Sequence, residues 1–185
     1  MQYWRQKIRF VALEIPMQIT KATLADVGEL TQLVNSGYRG EPSKKGWTTE
    51  AHILDGIRID EMAMIKYFQD PYVTILKYVN DEGQIIGCVY LEIKGKQLYL
   101  GMLTVSPLLQ AKGIGRQLLN QAEIIAKELK CRSIYMTVIK SRKELIAWYE
   151  RRGYKATGEM LPFHEGTRFG VPKEEIQLAV FEKEV

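Results

Sequence analysis

Histidine and cysteine are scarce in this chain, two of each, and that scarcity removes several kinds of chemistry at once. His52 and His164 lie far apart, with no C-x-x-C and no third ligand beside either, so no metal is expected. Cys88 falls in an apolar strand-like run and Cys131 at a helix end, which reads as two reduced thiols in or near a core rather than a disulfide framework. Long apolar runs are missing too: none approaches the ~20 residues that cross a bilayer. The opening MQYWRQKIRFVALEIP is basic and partly apolar, but Glu14 interrupts it and no small-residue cleavage site follows. A signal peptide is therefore not expected, and the protein is assigned to the cytoplasm with no membrane partner. Repeats and low-complexity segments are absent. Neither sign of charge dominates. The formal net charge is +4, yet the cations are interleaved with acids, as in KEEIQ and EKEV. The densest cluster, Arg151-Arg152 with Lys155, closes a helix where cations suit the dipole. No nucleic-acid partner is expected from such a balance.

What is present is an ordinary globular composition, 46% hydrophobic and 26% charged over 185 residues, enough for one well-buried core. Residues 17–185 are read as a single domain and 1–16 as an N-terminal extension of unassigned role. The most organised stretch runs from Leu98 to Lys130. Leu98 to Val105 is almost continuously apolar, as suits a strand covered on both faces, and Pro107 ends the ladder because it has no N–H to donate. From Ile114 onward Leu118, Ala122, Ile125 and Leu129 recur at helical spacing, predicting a helix that begins near Gly113. In the join, Gly113 and Gly115 let a ligand lie against the main chain, and the free N–H groups of the first helical turn face it with the positive end of the dipole behind them. Gln110 offers an amide, and Lys112 and Arg116 offer charge for a diphosphate.

The phosphate compound is narrowed by elimination. The Walker spacing G-x-x-x-x-G-K-[ST] does not occur, and the dinucleotide fingerprint fails because Leu118 stands at its third glycine. The run Gln110, Ala111, Lys112, Gly113, Ile114, Gly115 instead resembles the (Q/R)-x-x-G-x-(G/A) acetyl-CoA motif of the GCN5-related N-acetyltransferases, or GNAT superfamily. A second stretch agrees. Trp148-Tyr149-Glu150-Arg151-Arg152-Gly153-Tyr154 is similar to that family's aromatic-Tyr pair on a late helix, followed by a glycine and an aromatic residue.

The rest of the chain fits the order β-α-α-β-β-β-α-β-α-β-β. Met17 to Lys21 reads as a strand, and Thr23 with Asp26 as a capping box for a helix that Gly37 ends. A loop-rich segment follows, with a short helix leading to Asp55-Gly56 and a second helix capped by Asp60. Tyr72 to Val79 and Ile85 to Ile93 form a hairpin over Asn80 to Gly83. Ser133 to Ile139 is a strand, Ser141 and Glu144 form a capping box for a helix to Arg152, and Gly153 sits where its C′ glycine belongs. Strands over Tyr154 to Leu161 and Glu175 to Glu182 close the chain. The fold class is thus mixed α/β, and the resemblance over residues 17 to 182 implies the GNAT fold. That fold has a mostly antiparallel central sheet splayed between its fourth and fifth strands, with flanking helices.

The same resemblance implies direct acetyl transfer from acetyl-CoA to a primary amine in a ternary complex. The cofactor would lie on the main chain of Leu103, Thr104 and Val105 and on Gln110, Ala111, Lys112, Gly113, Ile114, Gly115 and Arg116. Tyr149 matches the family tyrosine that protonates the departing CoA sulfur. Many members carry a carboxylate base on the central strand where this chain has Tyr99, whose pKa near 10 makes it a poor base at neutral pH. Glu92 on the neighbouring strand is the candidate base, with Glu50 and Glu41 as alternatives, or an amine that arrives deprotonated. Acceptor contacts are expected from Arg39, Glu41, Trp47, Glu50 and Tyr99 in or beside the variable loops. Arg39 and Arg168 would suit an anionic group on a small amine, Glu41 and Glu50 a polyamine or aminoglycoside. A peptide acceptor, or an acyl-CoA sensor without turnover, remain open at this level. The closing strand offers a surface for a homodimer.

Overall fold

Burial alternates residue by residue along Gln97–Val105, and the elements on either side of that strand follow from which face each side chain takes. The computed structural model describes residues 19–163 and 169–185, so the N-terminal extension, His164 and Arg168 lie outside the described residues. In chain order the elements are β1 (Ile19–Lys21), α1 (Val27–Tyr38), α2 (Gly40–Ser43), β2 (Leu54–Asp55), α3 (Glu61–Gln69), β3 (Val73–Val79), β4 (Ile85–Lys94) and β5 (Gln97–Val105). There follow α4 (Ile114–Glu128), β6 (Ser133–Ile139), α5 (Lys143–Glu150), β7 (Lys155–Pro162), β8 (Val171–Pro172) and β9 (Gln177–Glu184). Seven strands form one sheet in the order β1-β3-β4-β5-β6-β9-β7, antiparallel except for β5 against β6. This is the mixed, mostly antiparallel sheet flanked by helices that the sequence implied.

The crossover β5-α4-β6 supplies the parallel pair, as a parallel connection requires. Its ladder is short: only Gln97, Leu98 and Tyr99 pair with Ser133, Ile134 and Tyr135. Beyond Tyr99 the two strands part. In the main sheet they are the fourth and fifth strands. On its other edge β5 stays paired with β4, but two residues, Met102 and Leu103, stand opposite Val89, and Met102 takes a left-handed φ of 51°. This bulge shifts the alternation by one residue. Leu98, Leu100, Leu103 and Val105 therefore meet the layer of α4 and α5, with Leu118, Leu119, Ala122 and Tyr149. Met102 joins the opposite layer, with Leu30, Val34 and Met64 from α1 and α3.

Several local expectations shift by a turn. The Thr23–Asp26 box forms, with the Thr23 N–H donating to the Asp26 carboxylate at 2.7 Å, and Asp60 caps α3 through Ala63 N–H at 2.8 Å. Gly37 does not end α1 but lies inside it, because a Cβ there would stand 2.5 Å from Cγ2 of Thr104. The helix expected before Asp55 is instead the short strand β2, paired with β8 over the cluster Ile53, Leu54, Ile139 and Ile176. On α4 the buried stripe is Ile114, Leu118, Leu119, Ala122 and Ala126, while Leu129 follows the helix and is exposed. The Ser141 cap does not form; α5 starts one residue after Arg142, whose side chain is committed elsewhere. The closing strand β9 is paired on both sides, leaving β7 as the exposed edge. No helix of the described residues is long and apolar enough to cross a membrane.

The close approach of α1 to β5 makes a contrast between two glycines of one helix. Gly37→Val is expected to destabilise the protein by about 1–3 kcal/mol through overpacking against Thr104. Gly28→Ala, whose Cβ would meet nothing nearer than 3.5 Å, is expected to stabilise it by about 0.4–1 kcal/mol. Urea unfolding of the two variants measures both signs.

Candidate functional site

Where β5 and β6 part, two cavities open, and both are lined by Tyr38, Leu103, Arg142, Leu145 and Tyr149. The first, about 660 Å³, runs from this junction to the N-terminus of α4. The second, about 480 Å³, lies between Tyr99 to Leu103 on β5 and Met136 to Ile139 on β6.

The first cavity is built by the turn after β5. Ala111 and Gly113 both adopt left-handed φ angles, 65° and 87°, which fold the turn back under the first turn of α4. The N–H of Gln117 is the first to find a helical carbonyl, that of Gly113, so those of Ile114, Gly115 and Arg116 remain for a ligand. Gly115 packs against Val105 and Trp148, where a Cβ would make ordinary contacts at 3.6 and 3.7 Å. The described lining carries five cations, Lys112, Arg116, Arg142, Arg151 and Arg152, and no acid. Arg152 lies 3.6 Å over the Trp148 ring and donates to the Trp148 carbonyl at 2.7 Å; burial lowers its pKa from the usual range. An elongated ligand with several phosphate charges fits such walls. Gln110, in the same lining, also has a structural role. Its amide oxygen accepts from the Trp47 N–H at 2.8 Å and its amide nitrogen donates to the Val105 carbonyl at 3.3 Å, so it ties the loop to the cradle. A Cβ at Gly46 would run into that amide.

Glu50 governs the second cavity. Its carboxylate accepts from Arg142 Nη1 at 3.0 Å and faces the Arg39 guanidinium at 3.5 Å, with all three side chains buried. Arg39 also donates to the carbonyls of Ile57 at 2.7 Å and Phe169 at 2.5 Å, and burial lowers its pKa while Glu50 opposes that. Arg39 is thus a buried clasp rather than a mobile loop cation. Arg142 adds a bond from Nη2 to Thr48 Oγ1 at 2.7 Å, which fixes the start of α5. Tyr99 reaches Thr137 Oγ1 at 3.4 Å and meets Tyr90 edge-on and Tyr135 at a tilt.

Among the expected residues, Leu103 to Val105 and Gln110 to Arg116 line the first cavity with Trp47, while Arg39, Glu50 and Tyr99 line the second. Tyr149 lines both. Its ring is buried against Trp148 and Tyr154, and burial pushes its pKa well above the ordinary tyrosine value. Glu92 and Glu41 are not brought to either cavity. Glu92 pairs with Lys94 and accepts from the Tyr90 hydroxyl at 3.0 Å; Glu41 is exposed and pairs with Lys44. Arg58 and Arg142 were missed because nothing local marks them. Arg152 had a signal, its four-residue spacing from Trp148 on one helix face. Among the described residues no three His, Cys, Asp or Glu side chains gather as a metal site.

Comparison with known proteins gives this geometry a setting. The family model described as Acetyltransferase (GNAT) family matches residues 32–154. The uncharacterised protein YdhI of Bacillus subtilis is 36% identical over 77 residues, a match that spans 42% of this chain and about half, 47%, of that relative. The PaiA N-acetyltransferase of Thermoplasma acidophilum, solved with coenzyme A, superposes with a TM-score of 0.68 at 20% identity, covering 90% of this chain and 98% of that one. A phosphinothricin acetyltransferase of Sinorhizobium meliloti, solved with AcCoA, gives 0.67 at 16% identity, covering 90% and 87%. At these identities the likeness is one of fold.

The Glu50 arrangement yields a direct expectation. Glu50→Ala leaves Arg39 and Arg142 buried without their countercharge and is expected to cost about 3–5 kcal/mol in chemical denaturation.

Proposed function

The chain belongs to the GNAT acetyltransferase family, and from that premise we infer that it is an acetyl-CoA-dependent N-acetyltransferase acting on a primary amine of a small acceptor by direct transfer. The observation that carries this reading is that Tyr149 lines both cavities: the first, about 660 Å³, has five cations and no acid in its described lining, and the second, about 480 Å³, lies on the other flank of the same tyrosine. In the first cavity the free N–H groups of residues 114–116 would receive the diphosphate, with Lys112, Arg116 and Arg152 supplying charge. The edge of β5 beyond Tyr99, unpaired by β6, would hydrogen-bond the pantetheine amides, and its main-chain N–H groups near Leu103 would polarise the thioester carbonyl. Acetyl-CoA, when bound, supplies an activated acyl carbon and a thiolate leaving group.

Tyr149, which lines both cavities, would give that thiolate its proton. Burial holds the phenol protonated, so it remains a donor through neutral and mildly alkaline pH. A base is a smaller need. The amine can enter neutral or pass its proton to water, and Glu50, the carboxylate of the second cavity, is committed to two arginines. Glu92 lines neither cavity, although it pairs in register with Tyr99, which lines the second, so it would act through a water chain. A homodimer contact is better sought at the exposed edge β7 than at β9.

Release of CoA thiol with a panel of small amines tests the activity. Tyr149→Phe is expected to lower kcat about 10²-fold or more with the KM for acetyl-CoA little changed. With the wild type, kcat/KM should rise with pH as the amine deprotonates and show no descending limb below pH 10. The sign follows from the upward shift: raising pH to 10 does not yet remove the Tyr149 proton. A descending limb near pH 8 that persists in Tyr149→Phe would place the proton donor on another group and contradict this assignment.

A further inference from the structure

The second cavity has an excess of positive charge that its own residues do not neutralise. Its described lining contains Arg39, Arg58 and Arg142 against a single acid, Glu50. That acid is shared by Arg39 and Arg142, and both guanidinium groups are engaged further, Arg39 with two carbonyls and Arg142 with Thr48. Arg58 is different. Its guanidinium makes no hydrogen bond or ion pair among the described residues and lies 5.5 Å from the centroid of the Tyr38 ring. It is nevertheless held in place. The Asn35 amide accepts from the N–H groups of Arg58 at 2.7 Å and Ile59 at 3.2 Å and donates to the Ile59 carbonyl at 2.9 Å, which fixes the backbone beneath the side chain. A guanidinium fixed at its base, backed by an aromatic ring and lining a cavity whose only described acid is already shared by two other arginines, is a preorganised half of an ion pair.

We propose that Arg58 is the anchor for an anionic group on the acceptor, so that the substrate is an amine bearing its own carboxylate, phosphonate or phosphate. This rests on the acetyltransfer reading above, since it identifies the occupant of that reading's acceptor cavity. Polyamines and aminoglycosides would bring like charge to Arg39, Arg58 and Arg142 and are disfavoured. The planar fork of Arg58 suits two oxygens of one acid group, while Tyr38 and Tyr99 line the space that leads toward Tyr149.

The test uses matched pairs: an amino acid against its amide, an aminoalkyl phosphonate against the plain alkylamine, and spermidine as a polycation. Each is followed by CoA thiol release and, separately, by calorimetric titration into protein saturated with CoA. The acid member of each pair is expected to exceed its neutral partner by at least tenfold in kcat/KM or affinity. Arg58→Met should collapse that ratio, and Arg58→Lys should restore part of it through charge without the fork. Retention of the acetyl-CoA thermal shift by both variants shows that they are folded. Turnover of neutral or cationic amines with no preference for the acids would overturn the anionic acceptor while leaving acetyl transfer intact. Arg58-dependent binding of the acids without any thiol release would uphold the anchor and remove the transfer reading instead. Failure of every acid to bind would overturn the anchor.

Discussion

The carboxylate of Glu50 joins halves of the sheet that the strands themselves do not hold together. After Tyr99 no backbone bond links β5 to β6, yet a loop that follows α1 and the helix that follows β6 must stay in register for the two cavities to meet. Glu50 spans that gap by accepting from Arg142 at the start of α5 while facing Arg39 at the end of α1. Thr48 and the Gln110–Trp47 bond act in parallel on the same loop. Charges this buried give up much of their attraction to desolvation, so the group contributes less to net stability than its Coulomb energy suggests. Its effect is positional: of the arrangements open to the loop, few satisfy two buried guanidinium groups. Tyr149 and Trp148, on α5, inherit their position from it.

The second constraint is the bulge at Met102. A regular β5 would keep Leu98, Leu100, Met102 and Thr104 on one face, and Leu103 and Val105 would turn away from α4. One extra residue reverses the alternation at the point where β6 departs, which presents Leu103 and Val105 to the cradle helix and Thr104 to Gly37. Splay and bulge thus act together. The first frees main-chain groups, and the second aims the residues beside them.

How much of this the sequence revealed depends on how local each feature is. The turn from Gln110 to Gly115, the hairpin over residues 80–83 and strand Ser133–Ile139 are specified by neighbours a few positions apart, and each was legible. Glu50 with Arg142 is not, because two charges brought together by the fold leave no spacing to recognise, and in sequence Arg142 looks like part of an ordinary capping box. Arg39 looked like a loop cation for the same reason. Gln110 was legible as a residue of the turn, but its bonds to Trp47 and Val105 were not, since its partner loop was invisible. Gly37 read as a helix stop because close approach to another strand and helix termination both call for glycine. Arg151 and Arg152 carried two meanings, dipole partners and cavity wall, and only the first is visible without the sheet beneath them.

Acetyl transfer by this chain requires the cationic cavity beside β5 to be a coenzyme A site. Thermal-shift titration of the purified protein with acetyl-CoA, CoA, ATP and NAD, beside a Gly113→Val variant that strains the left-handed turn, tests this before any acceptor is known. Ligand at 100 times its Kd stabilises a native protein by about 2.7 kcal/mol, which is readily seen. A shift with acetyl-CoA and CoA that ATP and NAD do not match, and that is lost in the variant, is the predicted result. No shift with either CoA species from a folded sample, or an equal shift with ATP, would contradict it.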